Sequence, residues 1–123
     1  MSNTSALLAD KKRVHAELVR LAQAGELTHY GVLGASIGKP ARWPLWKTVL
    51  DEISREQTQK GQPDITFLVL NASTGWPGQI GFIPTGGRPT QAQKDHAQRE
   101  LGRVFQQYCP GKPTPQLPQR KRQ

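Results

Sequence analysis

The chain has 123 residues, which is enough for one domain with one modest hydrophobic core. Hydrophobic residues make up 35% and charged residues 21% of it, so the body can fold. The single cysteine, Cys109, excludes an intrachain disulfide, and no apolar run approaches the roughly 18 residues that span a bilayer. We therefore expect a cytoplasmic protein with no signal peptide and no membrane contact.

The formal net charge is +8, and its distribution along the chain is uneven. Residues 110–123 hold four basic groups and no acidic one, which is half of the excess. The rest of the chain is only mildly basic. A polyanion partner fits this balance, although charge alone does not establish one.

The first two predicted helices occupy residues 4–25 and 28–37. The first follows from an apolar stripe at helical spacing and from good capping residues at its start. The second is short, and Gly38, followed by a lysine and a proline, ends it. Its internal glycines, Gly31 and Gly34, are poor helix formers, and we expect close packing against a neighbouring helix to explain them.

The third predicted helix spans residues 42–58 and begins near Trp43 and Pro44, because proline is tolerated in a first helical turn. Arg42 and Lys47 lie at its start, where a recognition helix presents side chains to a DNA groove. A solvated basic face beside core tryptophans explains these residues equally well.

The β-rich run Ile65–Leu70, the turn at 71–79 and the return segment Gln79–Ile83 predict a β-hairpin. Thr90 and Gln93 then have the spacing of a capping box, which predicts a closing helix.

The order of these elements favours an α+β fold, a small winged-helix-like domain with three helices, a β-hairpin wing and a C-terminal helix. We expect this domain to occupy residues 1–109. Residues 110–123 are rich in proline and basic residues, and we expect them to form an extended, disordered tail.

The segment Thr28–Pro40 resembles the Thr-Tyr-Gly-x-(Leu/Ile)-Ala-x-x-x-Gly-x-Pro segment of the O6-alkylguanine-DNA alkyltransferases and their alkyltransferase-like relatives. The downstream order of elements is also similar. The resemblance implies minor-groove DNA binding with a flipped base.

Two departures from that family bear on chemistry. The family's active-site Pro-Cys-His-Arg falls near residues 69–72, which are Val-Leu-Asn-Ala and supply no nucleophile or base. Its intercalating arginine aligns with Pro44, and Arg42 lies two positions earlier. We therefore expect no catalytic residue and no enzymatic activity. His15, His29 and His96 are isolated in sequence and one cysteine cannot make a structural zinc site, so we also expect no metal site. No cofactor or small-molecule substrate is evident.

The leading hypothesis is a small non-catalytic DNA-binding protein that contacts phosphates and a groove through helix 42–58 and the 71–79 wing. Trp43 is a candidate wedge or stacking group among the expected contacts. The predicted nucleic-acid-binding residues are Lys39, Arg42, Trp43, Lys47, Arg88, Arg120, Lys121 and Arg122.

The alternative is an adaptor or inhibitor that binds a protein partner on the same scaffold. Trp46 and Trp76 are its predicted contacts, because exposed aromatic side chains anchor interfaces. Placement of the tryptophans in the core is the competing interpretation. A third hypothesis is RNA binding, since the basic tail does not distinguish the sugar type.

Overall fold

The structure, a computed structural model, describes residues 3–80 and 89–118. Within them the chain forms a small, mostly helical α+β domain with four α-helices and a two-stranded sheet. No helix in this part of the chain is long and apolar enough to cross a membrane. The elements, in chain order, are α1 (Asn3–Ala24), β1 (Thr28–His29), α2 (Tyr30–Ile37), α3 (Trp46–Gln59), a first 3-10 helix (Ile65–Leu68), β2 (Val69–Leu70), a second 3-10 helix (Gly78–Ile80) and α4 (Gln91–Tyr108).

The first 3-10 helix lies at the centre of the hydrophobic core. All four of its residues are buried, and α1, α3 and α4 pack around it. Each of these helices turns one apolar face inward, as its sequence spacing predicts. The largest side chains that they bury completely include Leu18, Leu50, Ile53, Leu101 and Phe105.

The prediction of a strand over residues 65–70 is wrong for its first four residues. The side chain of Asp64 accepts a hydrogen bond from the backbone N–H of Thr66, and the Thr66 hydroxyl also donates to it. Ser54 of α3 donates to the other carboxylate oxygen of Asp64, at 2.5 Å. Asp64 therefore caps a tight helical turn, and this local bonding prevails over the β propensity of the run.

The two short strands pair in parallel, with Thr28 opposite Val69 and His29 opposite Leu70. In place of the predicted hairpin, Leu70 makes an isolated antiparallel bridge with Pro77. The predicted return strand is also corrected, because its first two residues lie in the second 3-10 helix. Residues 81–83 of that predicted strand are outside the described part of the chain.

Helix α3 begins at Trp46, four residues later than predicted. Arg42 and Trp43 lie in the connection before it, because a residue that precedes a proline is disfavoured in helical conformation. Two hydrogen bonds to one carbonyl hold that connection in place. The Trp43 N–H donates to the Pro40 carbonyl at 3.0 Å, and the Trp46 indole N–H donates to the same oxygen at 3.1 Å.

The predicted start of α4 is confirmed. Thr90 caps the helix with its side chain, which accepts from the Gln93 N–H at 3.1 Å. The Gln93 side chain accepts from the Thr90 N–H at 2.8 Å, which completes the capping box.

Residues 110–118 were expected in a disordered tail, but they pack against the folded body. Leu117 is only 2% exposed, and the side chain of Gln98 in α4 donates to the Pro115 carbonyl and accepts from the Leu117 N–H. The apolar surface of Leu117 supplies the physical reason, because its burial offsets the cost of ordering the segment. The basic residues Arg120, Lys121 and Arg122 lie outside the described part of the chain.

We expected Gly34 to pack against a neighbouring helix. It packs instead against the backbone of the connection that follows α2. A Cβ atom at this position would overlap the Lys39 carbonyl oxygen. The Lys39 N–H donates to the Gly34 carbonyl at 2.8 Å, and Gly38 (φ 76°) makes the reversal between them. Gly31 faces open space by comparison, with Ala41 Cβ at 3.9 Å as the nearest atom.

We predict that Gly34→Ala destabilises the protein by about 1–3 kcal/mol, because the new methyl group forces the connection away from α2. Gly31→Ala is the matched control on the same helix. It should leave stability unchanged or raise it by up to about 1 kcal/mol, since alanine is the better helix former. Urea unfolding of both variants measures the difference, and equal stabilities would contradict the packing described for Gly34.

Candidate functional site

The parallel pairing of β1 and β2 brings two chain reversals to the same edge of the sheet. Tyr30 follows β1 and begins α2, while Asn71 follows β2 and begins a tight turn. The carboxyl ends of parallel strands are a common position for ligand sites in α/β proteins. The edge defined by Tyr30 and Asn71 is therefore a candidate ligand site.

A pocket of about 390 Å³ opens at this edge, which we call the edge pocket. Its volume falls within the range of about 300–1,000 Å³ that is usual for small-ligand sites. Elements distant in sequence line it together: the start of α2, the connection before α3 with the first turn of α3, the turn after β2 and the second 3-10 helix. The lining residues are Tyr30, Ala41, Trp46, Lys47, Asn71, Gly78 and Gln79.

Tyr30 forms one wall of the edge pocket. Its ring packs edge-on against Trp46, with 5.6 Å between the ring centroids. Gly78 is required opposite it, because a Cβ atom there would overlap the Tyr30 hydroxyl. Burial, and to a lesser degree the charge of Asp51, raises the pKa of Tyr30 above its ordinary value of 10.0. The hydroxyl is therefore a hydrogen-bond donor at neutral pH.

Polar groups of both signs surround the mouth of the edge pocket. Asp51 accepts a hydrogen bond from Gln79 at 3.2 Å and forms an ion pair with Lys47 at 3.1 Å. The side-chain oxygen of Asn71 accepts from the Ser73 N–H at 2.8 Å, which leaves the Asn71 amide nitrogen as a donor. The edge pocket thus combines aromatic walls with donors and acceptors.

The cations next to the edge pocket lie on the connection between α2 and α3 and in the first turn of α3. Arg42 is exposed and follows Ala41 of the pocket lining, and among the described residues no carboxylate lies within ion-pair distance of it. Lys47 forms its ion pair at the helix surface, with 85% of its side chain exposed. Two exposed cations therefore flank the pocket.

Lys39 is held more firmly than these two cations. Its ammonium group lies 3.2 Å from Asp10 of α1 and 5.0 Å from the centre of the Trp43 ring. Asp10 also pairs with Arg13, at 2.8 Å. Arg13, and after it Lys39, holds the pKa of Asp10 below its ordinary value against the opposing effect of burial. Two cations on one carboxylate leave this cluster net positive.

The structure brings together the four predicted contacts Lys39, Arg42, Trp43 and Lys47, all within the connection and the first turn of α3. The other predicted nucleic-acid contacts lie outside the described residues, namely Arg88, Arg120, Lys121 and Arg122.

The prediction that Trp46 and Trp76 are exposed docking groups is corrected. They are 5% and 8% exposed. Trp46 packs against Tyr30 and Trp43, and Trp76 carries the Lys94 ammonium over its ring at 5.7 Å. Both rings belong to the core because their apolar surface is more favourable away from water.

Helix α3 is a poor candidate for a basic recognition surface by itself. It contains two basic residues, Lys47 and Arg55, and three acidic residues, Asp51, Glu52 and Glu56. Attraction for an anion at this end of the molecule therefore depends on the connection before α3, more than on the outer face of the helix.

Sequence reasoning missed the edge pocket, because its lining comes from four separate parts of the chain. Scans against family models, and searches of curated proteins and of solved structures, find no match to this chain.

We predict that Asp10→Asn lowers the free energy of unfolding by about 1–2 kcal/mol at pH 7, because it weakens two charge-assisted hydrogen bonds. The folded-state pKa of Asp10 is lowered, so its stabilising effect is present above the unfolded value of 3.8 and is lost as the pH falls through the folded-state pKa. Urea unfolding at several pH values should show the two proteins converging below pH 3.8.

Glu17→Gln is the matched control for Asp10→Asn. Glu17 pairs with Arg20 at the same helical spacing, but this pair is on the surface and tethers no third residue. Glu17→Gln should lower the free energy of unfolding by less than about 1 kcal/mol. A larger loss for Glu17→Gln than for Asp10→Asn would contradict the tethering role of Asp10.

Proposed function

We propose that the chain is a small, non-catalytic DNA-binding protein. The observation that carries the proposal is the position of Arg42 and Lys47, two exposed cations next to the edge pocket. Arg42 follows the pocket residue Ala41 on a connection held by Trp46 and Lys39, and Lys47 lies in the first turn of α3. Phosphate contacts from such cations hold a protein on DNA and set its register. The alkyltransferase resemblance of residues 28–40 is the expectation that points to DNA.

The resemblance also gives the edge pocket a role within this proposal. It aligns the family's active-site segment with residues 69–72, and Asn71 of that segment lines the edge pocket. An asparagine amide does not act as an alkyl acceptor, so the pocket binds without reacting. The amide groups of Asn71 and Gln79 and the Tyr30 hydroxyl are groups that bond to the edge of an extruded base.

The phosphate contacts are tested by fluorescence anisotropy with a labelled duplex of mixed sequence, titrated at several salt concentrations. We predict that affinity falls steeply with salt. The double variant Arg42→Ala/Lys47→Ala should weaken binding at every concentration and reduce the slope of log K against log salt by about 2, because each phosphate contact contributes about 0.9.

Arg99→Ala/Arg103→Ala is the matched control. It removes two cations from α4, of which Arg103 is paired with Glu100 as Lys47 is paired with Asp51. This control variant should change the slope of log K against log salt by much less than Arg42→Ala/Lys47→Ala does. Equal losses for the two double variants, or no affinity of the wild-type protein at low salt, would overturn the proposal.

The role of the edge pocket is tested with a duplex that contains one mismatch. We predict tighter binding to it than to the matched duplex, because a mismatched base costs less to extrude. Tyr30→Phe removes one hydroxyl and should lower the affinity for the mismatched duplex about fivefold, the equivalent of one hydrogen bond. The control is Tyr108→Phe, whose hydroxyl accepts from Gln57 on α3. If Tyr108→Phe lowers the affinity for the mismatched duplex and Tyr30→Phe does not, the edge pocket has no role in binding an extruded base.

One observation favours the alternative, a protein-binding adaptor. A shallow apolar groove of about 150 Å³ lies between α1 and α3, lined by Leu7, Leu8 and Val49 among others, and Leu8 is 48% exposed. Exposed apolar surface of this kind occurs at protein interfaces. Leu8→Asp separates the two functions, since it should abolish capture of a protein partner and leave DNA affinity unchanged.

A further inference from the structure

The edge pocket presents its polar groups in orientations that neighbouring groups fix. An amide side chain offers a ligand either its oxygen or its nitrogen, so the pattern of a site lined by Asn71 and Gln79 depends on how each amide is turned. Both amides bond to partners that are not among the residues lining the pocket. The group that each amide offers to a ligand therefore follows from the partner that it already has.

Asn71 offers a donor to the edge pocket. Its side-chain oxygen accepts from the Ser73 N–H at 2.8 Å. Because a backbone N–H bonds only to an acceptor, the Asn71 oxygen must face Ser73 and the nitrogen is the other end of the amide. Within residues 3–80 and 89–118 no protein group accepts from that nitrogen. The Gly75 N–H also donates to the Asn71 carbonyl at 2.8 Å, so the turn holds this donor at the pocket wall.

Gln79 offers an acceptor to the edge pocket. Its amide nitrogen donates to Asp51 at 3.2 Å. An ionised carboxylate only accepts hydrogen bonds, so the nitrogen must face Asp51 and the oxygen is the other end of the amide. No hydrogen bond to that oxygen is made by the part of the chain that the structure describes.

The Tyr30 hydroxyl supplies a second donor. It lies so close to Gly78, another lining residue, that a Cβ atom there would overlap it. No group of the described residues forms a hydrogen bond with this hydroxyl. The phenol stays protonated at neutral pH, and a phenolic O–H is a better donor than acceptor. The edge pocket therefore presents two donors and one acceptor.

This pattern complements a pyrimidine base. The Watson–Crick edge of thymine, uracil or cytosine carries two acceptors and one donor. Guanine has the reverse, one acceptor and two donors, and adenine has one of each. The volume of about 390 Å³ admits bases of either size. The polar groups, more than the size of the pocket, therefore decide between the bases.

We infer that the edge pocket selects a pyrimidine as the extruded base. The inference rests on the proposed function. The Tyr30 hydroxyl and the Asn71 amide nitrogen donate to the two acceptors of the base, and the Gln79 oxygen accepts from its N–H. Guanine in the same place would set its donors against those of the pocket. Polar groups would then be left unpaired after losing their water, which costs more than a missing contact.

Fluorescence anisotropy of the full chain with a set of labelled duplexes tests the selection. Each duplex places one base opposite an abasic site, so no base pair is lost when the base is extruded. Thymine, uracil and cytosine should each bind about tenfold more tightly than guanine or adenine. Thymine and uracil carry their donor between two acceptors, whereas cytosine carries it at one end, and the inference holds for a preference for either kind of pyrimidine.

Asn71→Asp separates recognition by the pocket from the different stacking of the bases in DNA. The new carboxylate still accepts from the Ser73 N–H, but it replaces a pocket donor with an acceptor. The pocket then has one donor and two acceptors, which complements guanine. The ratio of thymine affinity to guanine affinity should fall at least about tenfold. Stacking is a property of the DNA, so it cancels when this ratio is compared between the two proteins.

Ser73→Asp is the matched control, because it adds the same charge to the same turn at a residue that does not line the pocket. It should weaken binding of all the duplexes alike and leave the ratio unchanged. If Asn71→Asp no longer binds a fully paired duplex, Tyr30→Phe takes its place. Tyr30→Phe should lower the thymine affinity about fivefold and leave the guanine affinity unchanged.

Three results would overturn the inference and leave DNA binding in place. These are equal affinities for all the bases, a preference of the wild-type protein for a purine, and a ratio that Asn71→Asp and Ser73→Asp change equally. Failure of the wild-type protein to bind any duplex at low salt is a separate result, which would overturn the proposed function together with the selection of a pyrimidine.

Discussion

The burial of one indole ring, that of Trp46, fixes the arrangement on which the candidate site depends. The ring is 5% exposed and lies edge-on to both Tyr30 and Trp43, with centroids 5.6 and 5.1 Å away. Its N–H donates to the carbonyl of Pro40. A buried indole loses both apolar contact and a hydrogen bond if it moves, so the start of α3, the start of α2 and the connection between them are held as one unit.

This rigidity matters for binding because the cations sit on the part of the chain that Trp46 immobilises. Lys39 is fixed through Asp10 of α1, Arg42 follows on the same connection, and Lys47 lies in the first turn of α3. Groups that are already ordered lose less conformational entropy on association. The backbone that carries Lys39, Arg42 and Lys47 is therefore preorganised at this edge.

Sequence reasoning found what depends on local chemistry and missed what depends on distant contacts. The capping box at Thr90 was predictable because its partners lie three residues apart. The first 3-10 helix was missed because the β propensity of the run outweighs the local Asp64 cap in the sequence, and the bond from Ser54 that supports this cap comes from α3. The cations of the connection were identified, but the edge pocket was not, because Tyr30 and Gln79 meet only after the sheet has paired and α2 and α3 have packed. The packing of residues 110–118 against the body was missed for the same reason, since a proline-rich segment gives no local sign of a tertiary partner.

The central claim is that DNA binds across the connection between α2 and α3 and over the edge pocket. The most direct measurement is an NMR titration of the isotopically labelled protein with a short duplex of mixed sequence at low salt. The account predicts that the amide shifts are concentrated at residues 39–47 and 71–79. Shifts concentrated instead at the α1–α3 groove around Leu8, or no shifts at all, would contradict it.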